Sequence, residues 1–89
     1  MKRLLLACFL VAIATAASAQ TCVVSDPTGT PLNVRARPNG PILGALHNGT
    51  LVQVSQTAYD NAGKPWAYIA PLGPGKRGWV FWGYLACGR

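Results

Sequence analysis

The stretch GWVFWGYL, residues 78–85, places two Trp, one Phe and one Tyr close together in an 89-residue chain. A glycine followed by β-branched and aromatic residues is typical of a short strand, and Gly83 is expected to end it. Successive side chains of a strand point to opposite faces, so a core-facing Val80 puts Trp79 on the outside. By the same alternation Trp82 shares the side of Val80, unless the chain twists at Gly83. The stretch therefore predicts a strand that closes a small core with one face and offers ring surface to a partner with the other.

The first 19 residues have the organisation of a secretory signal peptide. Lys2 and Arg3 precede an uncharged apolar run over residues 4–17, and the sequence ASA at 17–19 fits a small-residue cleavage site. A membrane anchor is the alternative, but the run is shorter than the roughly 20 residues that span a bilayer. We expect cleavage after Ala19 and a mature protein that is periplasmic or secreted.

The glycine and proline content of the remaining chain is typical of short strands joined by turns. All ten Gly and all seven Pro lie after the predicted cleavage site, which favours strands and tight turns over helices. Leu32, Val34 and Ala36 alternate with polar residues and are expected on one face of a strand. Val52 and Val54 alternate in the same way in a later strand and are expected to point inward.

Two turn signals connect these strands. The segment HNGT, residues 47–50, contains Asn-Gly between apolar runs, which predicts a hairpin between the strands on either side. A second turn, residues 59–64, leads into a strand with Trp66 and Tyr68 on one face and Ala67 and Ile69 on the other. The pattern predicts an all-β domain, a small barrel of five to seven short strands. Trp66 is expected to cap its core.

Two cysteines remain after the predicted cleavage, Cys22 and Cys87, near the two ends of the mature chain. Exported proteins meet an oxidising environment, in which such pairs form disulfides. Closing nearly the whole mature chain into one loop stabilises it by about 4 kcal/mol in the chain-entropy model. A metal site that uses the two cysteines is the alternative, but the chain has only one His and two Asp to supply further ligands. We predict a Cys22–Cys87 disulfide.

The mature chain is basic. The full chain has a formal net charge of +6, and removal of Lys2 and Arg3 leaves about +4 by the same count. Such a balance suits anionic partners. Nucleic acid fits the charge but not the compartment, which leaves cell-wall polymers, lipid head groups and acidic proteins. Solubility alone is the other explanation of the charge.

Several groups of residues carry a resemblance to a known family. They are Leu32-Asn33-Val34-Arg35 followed by Pro38, Gly49-Thr50 leading into Val52 and Val54, Trp66, Gly78-Trp79-Val80, and Tyr84-Leu85. In this combination the chain resembles the bacterial SH3 (SH3b) domain family from about residue 30 to residue 85. The resemblance implies an SH3-like barrel and a binding role, often toward cell-wall peptidoglycan or peptides, in a module usually appended to an enzyme. Together with the signal-peptide pattern, it divides the chain into a signal peptide (1–19), an N-terminal arm (20–29) and an SH3b-like domain (30–87).

The chain departs from the family pattern at three places. Phe81 and Trp82 stand where small polar residues are common, and Ala36 and Arg37 stand where a pair such as Ser-Gly is usual. The loop over residues 71–77 is also long. The first two departures add aromatic and cationic surface, which either enlarges a ligand site or covers a partner interface.

The candidate binding residues combine an aromatic platform, Trp79, Trp82 and Tyr84, with a cationic edge, Arg35 and Arg37. Trp, Tyr and Arg dominate binding hot spots, and a guanidinium fork suits carboxylates and phosphates. We expect an exported, non-catalytic module that recognises peptidoglycan or a peptide. The alternative is a structural or interaction protein whose aromatic patch forms a homodimer or lies under a protein partner. A third possibility is a basic effector acting on anionic lipid.

The residue inventory argues against catalysis. Asp26 and Asp60 each lie in a turn cluster, where the side chain caps local backbone instead of forming a convergent acid–base pair. The two mature cysteines are expected to be bonded to each other, and His47 lies at the predicted hairpin tip. No enzyme activity, cofactor, metal site or lasting membrane insertion is therefore predicted.

Overall fold

The structure, a computed structural model, describes residues 19–88. Seven strands and one 3₁₀ turn lie in this part of the chain. They are β1 (Gln20–Val24), β2 (Leu32–Arg35), β3 (Ile42–Leu46), β4 (Leu51–Tyr59), β5 (Pro65–Pro71), β6 (Gly78–Phe81), the 3₁₀ turn (Trp82–Tyr84) and β7 (Leu85–Cys87). The predicted all-β class is confirmed. The predicted signal peptide, apart from Ala19, lies outside the described residues.

The strands form one antiparallel sheet in the order β3-β2-β6-β5-β4-β1-β7. The sheet is open, since β3 pairs with β2 and β7 pairs with β1, and no ladder joins the two edges within residues 19–88. Closure by backbone hydrogen bonds, which the predicted barrel implied, is therefore not found. β1, the start of the predicted N-terminal arm, lies inside the sheet between β4 and β7.

One face of the sheet carries the core. Its largest fully buried side chains are Ile69, Val24, Val34, Val52 and Val80. β-branched residues dominate because they pack well on a pleated surface. Burying such a side chain stabilises a fold by about 1.5–3 kcal/mol.

The alternation predicted for β4 and β5 is confirmed. Val52 and Val54 are buried in β4, and Ala67 and Ile69 are fully buried in β5. The register shifts between Val54 and Gln56, so the core side of β4 is set by its first half.

β2 is shorter than its alternation predicted. Leu32 and Val34 are buried as expected, but the strand ends at Arg35 and Ala36 is exposed. The chain turns instead, because the Gly40 N–H donates to the Arg37 carbonyl at 2.8 Å. Pro38 restrains the residue before it and has no N–H to donate to a ladder.

The hairpin predicted at residues 47–50 is wrong, although the turn forms. The Thr50 N–H donates to the His47 carbonyl at 3.1 Å, and Gly49 adopts φ +92°. β3 and β4 are not neighbours in the sheet. The turn is held by β1, since the Val24 N–H donates to the Thr50 carbonyl at 2.9 Å and the Gly49 N–H to the Val24 carbonyl at 2.8 Å. Asn48-Gly49 determines the tight bend. Because the turn pairs with β1, the chain crosses from β3 to the non-adjacent β4 instead of forming a hairpin.

The predicted disulfide is confirmed. Cys22 and Cys87 are directly opposite each other in the β1–β7 ladder and are bonded. The bond therefore joins the first and last strands of the sheet. No helix in the described part of the chain is long and apolar enough to cross a membrane.

Candidate functional site

The outer face of β5 and β6 carries a set of aromatic rings. Because Ala67, Ile69 and Val80 point to the core, the alternate residues of both strands point outward. The register pairs Trp66 with Phe81 and Tyr68 with Trp79. The ring centroids of these pairs lie 5.6 and 5.5 Å apart, edge to face. Aromatic pairs of this geometry add about 0.5–1.5 kcal/mol beyond the area they bury.

The 3₁₀ turn extends this ring set by one residue. Tyr84 lies with its ring centroid 5.1 Å from that of Phe81, again edge to face. Phe81 therefore contacts Trp66 on one side and Tyr84 on the other.

A cleft of about 320 Å³ lies beside these rings. One side is aromatic, the floor comes from β2, and the other side is the loop between β1 and β2. The lining residues are Asp26, Thr28, Thr30, Pro31, Leu32, Asn33, Arg35, Trp66, Phe81 and Tyr84. The cleft is thus assembled from four separate parts of the chain.

Trp66 is fixed by Asp60. The indole Nε1–H donates to Asp60 Oδ2 at 2.9 Å, and the side chain is buried. Trp66 is buried, but it does not cap the core cluster as predicted. It packs against Phe81 on the outer side of the sheet, apart from the main core cluster.

Asp60 organises the β4–β5 turn as well as Trp66. Its Oδ1 accepts the N–H groups of Ala62 and Lys64, each at 2.9 Å, and its Oδ2 also accepts the Asn39 side-chain amide at 2.9 Å. The Trp66 indole, followed by the Lys64 N–H, lowers the pKa of Asp60 from 3.8 to about 2, because these donors favour the ionised carboxylate. One carboxylate thus holds an aromatic wall of the cleft in place.

Asp26 organises the opposite wall. Its Oδ1 accepts the Thr28 N–H at 2.8 Å and the Thr28 hydroxyl at 2.6 Å, the turn-capping role that was predicted for it. The Asp26 N–H donates to Asn48 Oδ1 at 2.7 Å, which ties this loop to the β3–β4 crossover.

Arg35 lies on the outer face at the end of β2, opposite Trp79 in the ladder with β6. Its Nη1 donates to the Gly40 carbonyl at 2.9 Å. This hydrogen bond holds the guanidinium at the cleft and uses one of its five N–H donors.

The structure brings some of the predicted binding residues together and separates others. Arg35 and Tyr84 line the cleft. Trp79 lies on the same outer face beside Arg35, although it is not a lining residue. Trp82 packs against the core, and Arg37 is exposed in the β2–β3 turn.

Sequence reasoning did not select the other ring-bearing and loop residues of the cleft. Phe81 could have been found, since alternation from Val80 places it on the same face as Trp79. Trp66 could have been found in the same way, because its predicted face is opposite Ala67. The contribution of Asp26, Thr28 and Thr30 depends on how the β1–β2 loop folds over β2, which no local pattern indicates.

Within residues 19–88 there is no cluster of three or more His, Cys, Asp or Glu that could hold a metal ion. Comparison of the chain with protein families, with curated proteins and with solved structures gives no match.

Proposed function

We propose that this chain is an exported, non-catalytic binding module with an SH3-like fold that recognises a peptide or glycopeptide of the cell wall. The observation that carries the proposal is the cleft of about 320 Å³, which combines three aromatic side chains with one guanidinium. Its volume lies at the lower end of the roughly 300–1,000 Å³ that ligand pockets span, and five of its ten lining residues are polar or charged. The resemblance of residues 30–85 to SH3b domains and the count of seven short strands support the SH3-like assignment.

The cleft is held in shape before any ligand arrives. Trp66 is fixed by Asp60, Phe81 lies between Trp66 and Tyr84, and Arg35 is held by the Gly40 carbonyl. A site of this kind loses little conformational entropy on binding, which favours affinity for a small contact area. These contacts support a recognition role for the surface.

Co-sedimentation of the mature chain with purified peptidoglycan sacculi tests the proposal. We expect retention at moderate salt, and about a tenfold loss in Arg35→Gln, because the guanidinium contact is removed from the cleft. Arg77→Gln is the matched control, since it removes the same charge from an exposed residue outside the cleft lining. Equal loss in both variants, or retention that moderate salt abolishes, would show non-specific charge attraction and contradict the proposal.

A second candidate function is a protein–protein interface on the same outer face. Trp79 and Tyr68 form a partly exposed aromatic pair beside the cleft, and this pair widens the surface beyond what a small ligand needs. A homodimer through it predicts a concentration-dependent mass in light scattering that Trp79→Ala reduces. Tyr59→Ala is the control, because Tyr59 is 73% exposed at the far end of β4. A monomer at every concentration would exclude the homodimer.

A further inference from the structure

The loop wall of the cleft contains a buried carboxylate with one oxygen unused. Asp26 is 7% exposed, and both of its side-chain hydrogen bonds go to Oδ1, from the N–H and hydroxyl of Thr28. Oδ2 receives no hydrogen bond from any residue in the range 19–88. A buried carboxylate oxygen without a donor is costly. A ligand group that donates hydrogen bonds would remove this cost.

The hydroxyl groups of Thr28 and Thr30 continue this acceptor surface along the wall. The Thr28 hydroxyl has one proton, which it donates to Asp26. The 2.8 Å contact between the Thr28 and Thr30 hydroxyls must then use the proton of Thr30. The Thr28 proton goes to Asp26 and the Thr30 proton goes to the Thr28 oxygen, so the Thr30 oxygen has lone pairs but no proton left for a ligand. The side chains of this wall therefore present hydrogen-bond acceptors.

The position of this wall is fixed by backbone and side-chain contacts. The Asp26 N–H donates to Asn48 Oδ1 at 2.7 Å, and the Asn48 side-chain amide donates to the Asp26 carbonyl at 3.3 Å. The Gly29 N–H donates to the same carbonyl at 3.0 Å. The acceptors are thus preorganised.

Arg35, in the floor of the cleft, presents hydrogen-bond donors where the Asp26 wall presents acceptors. A guanidinium has five N–H donors and no acceptor. One of these donors is used by the Gly40 carbonyl, and in the described chain no other hydrogen bond of the Arg35 side chain is formed. The remaining donors are free for a carboxylate, which is an acceptor when ionised.

We propose that the cleft binds a zwitterionic peptide, with a free ammonium on the Asp26 and Thr30 wall and a free carboxylate on Arg35. An ammonium donates three hydrogen bonds and accepts none, which complements the acceptor wall. The apolar part of the peptide packs on Phe81 and Tyr84. The inference rests on the proposed function, and narrows its ligands to short peptides that carry both charged groups.

A set of four trialanine peptides tests this inference on the mature chain. The peptides are the free form, the N-acetylated form, the C-amidated form and the form blocked at both ends. Chemical-shift titration of the Thr30 and Asn33 amides and of the Trp66 indole N–H measures each affinity. We expect the free form to bind best, and each block to weaken binding about tenfold, because each removes one charge-assisted contact.

Two variants assign each peptide end to its wall. Asp26→Asn should weaken binding of the free and C-amidated peptides and leave binding of the N-acetylated peptide unchanged. Arg35→Gln should weaken binding of the free and N-acetylated peptides and leave binding of the C-amidated peptide unchanged. If Asp26→Asn does not fold, Thr30→Val tests the same wall, with exposed Thr57→Val as the matched control. The comparison of blocked and free peptides on the unaltered protein needs no variant.

The outcomes separate this inference from the proposed function. Equal binding of all four peptides would overturn recognition of the zwitterion and leave peptide binding in place. No binding of any trialanine, with sacculus retention that Arg35→Gln abolishes, would also overturn the inference while the proposed function stands. Preferred binding of the free form without sacculus retention would uphold the inference, and it would contradict the proposal that the cell wall is the target.

Discussion

Asp60 joins three segments of the chain through one carboxylate. Its oxygens accept from the β4–β5 turn, from Trp66 in β5 and from Asn39 in the β2–β3 turn. Because every one of these partners is a donor, the ionised form fits and a protonated or amide form does not. The residue thus links the hairpin turn to the aromatic wall of the cleft.

Asp60 predicts a defined acid sensitivity. Its pKa is about 2 in the folded chain and 3.8 as the ordinary value, so the unfolded state binds the proton first as pH falls. The stabilisation is therefore complete above about pH 4 and is lost as the pH falls to about 2. We expect the unfolding temperature of the unaltered protein to decrease more steeply across this window than that of Asp60→Asn. Parallel curves would contradict the assignment.

Trp66→Phe tests the largest cause of that shift. The substitution keeps a ring against Phe81 and removes the Nε1–H donor to Asp60. We expect the pKa of Asp60 to rise toward 3.8, measured from its carboxyl carbon resonance during a pH titration. Trp79→Phe is the control, since the Trp79 ring contacts Tyr68 and makes no hydrogen bond with Asp60 in the described residues.

The candidate site was predictable where it depended on strand alternation. Alternation predicts Arg35 on the polar face of β2 and Trp79 on the face opposite Val80, and the structure has both on the outer face. Trp82 follows the parity of Val80 and packs on the core. The cleft itself was not predictable, because the Asp26 loop reaches it through a fold-back that depends on Asn48, 22 residues away in sequence.

At the scale of elements, the β3–β4 crossover is the feature that local sequence described incompletely. Asn48-Gly49 specifies a tight turn, and the turn is present. Which strands then become neighbours is decided by long-range pairing, since β4 has β5 and β1 on its two sides. Turn chemistry was therefore readable from the sequence, and strand order was not.

Asn48→Ala measures how strongly the crossover holds the β1–β2 loop. It removes the acceptor of the Asp26 N–H, a partly buried donor. We expect a loss of about 1–3 kcal/mol in the free energy of unfolding, measured with urea, because that donor is left without a partner. Asn61→Ala, in an exposed turn position, should stay within about 0.5 kcal/mol. A similar loss in both variants would contradict this role.

Gly78 allows β6 to approach β2. A Cβ at this position would lie 2.7 Å from the Arg35 carbonyl oxygen and 2.8 Å from Val34 Cγ1. Gly78→Ala should therefore cost about 1–3 kcal/mol in urea unfolding through overpacking. Gly73→Ala is the matched control, since a Cβ there meets nothing within 4 Å. Near-neutral behaviour of Gly78→Ala would show that the two strands can separate without cost.

At the scale of the whole molecule, one covalent bond supplements a small core. A domain of this size buries only about 60% of the surface its unfolded chain exposes and is marginal on its core alone. The Cys22–Cys87 bond spans 65 residues of sequence. Its contribution is therefore a large part of the net stability of such a domain.

Reduction should lower the free energy of unfolding by about 4 kcal/mol, the value for a loop of this length. Urea unfolding with and without a reductant measures it. The variant carrying both Cys22→Ala and Cys87→Ala is the control, because reductant should leave its midpoint unchanged. An unaltered protein that is equally stable in both conditions would show that the core is sufficient.

β1 lies between β4 and β7, so the first strand along the chain has the last strand as one of its two neighbours. During synthesis the second edge of β1 stays unfilled until residues 85–87 have emerged, and pairing between distant strands is also slow. A chain still being synthesised therefore cannot assemble its full sheet. The fold is completed in a single late step, when the C-terminal strand pairs with β1 and brings Cys87 opposite Cys22.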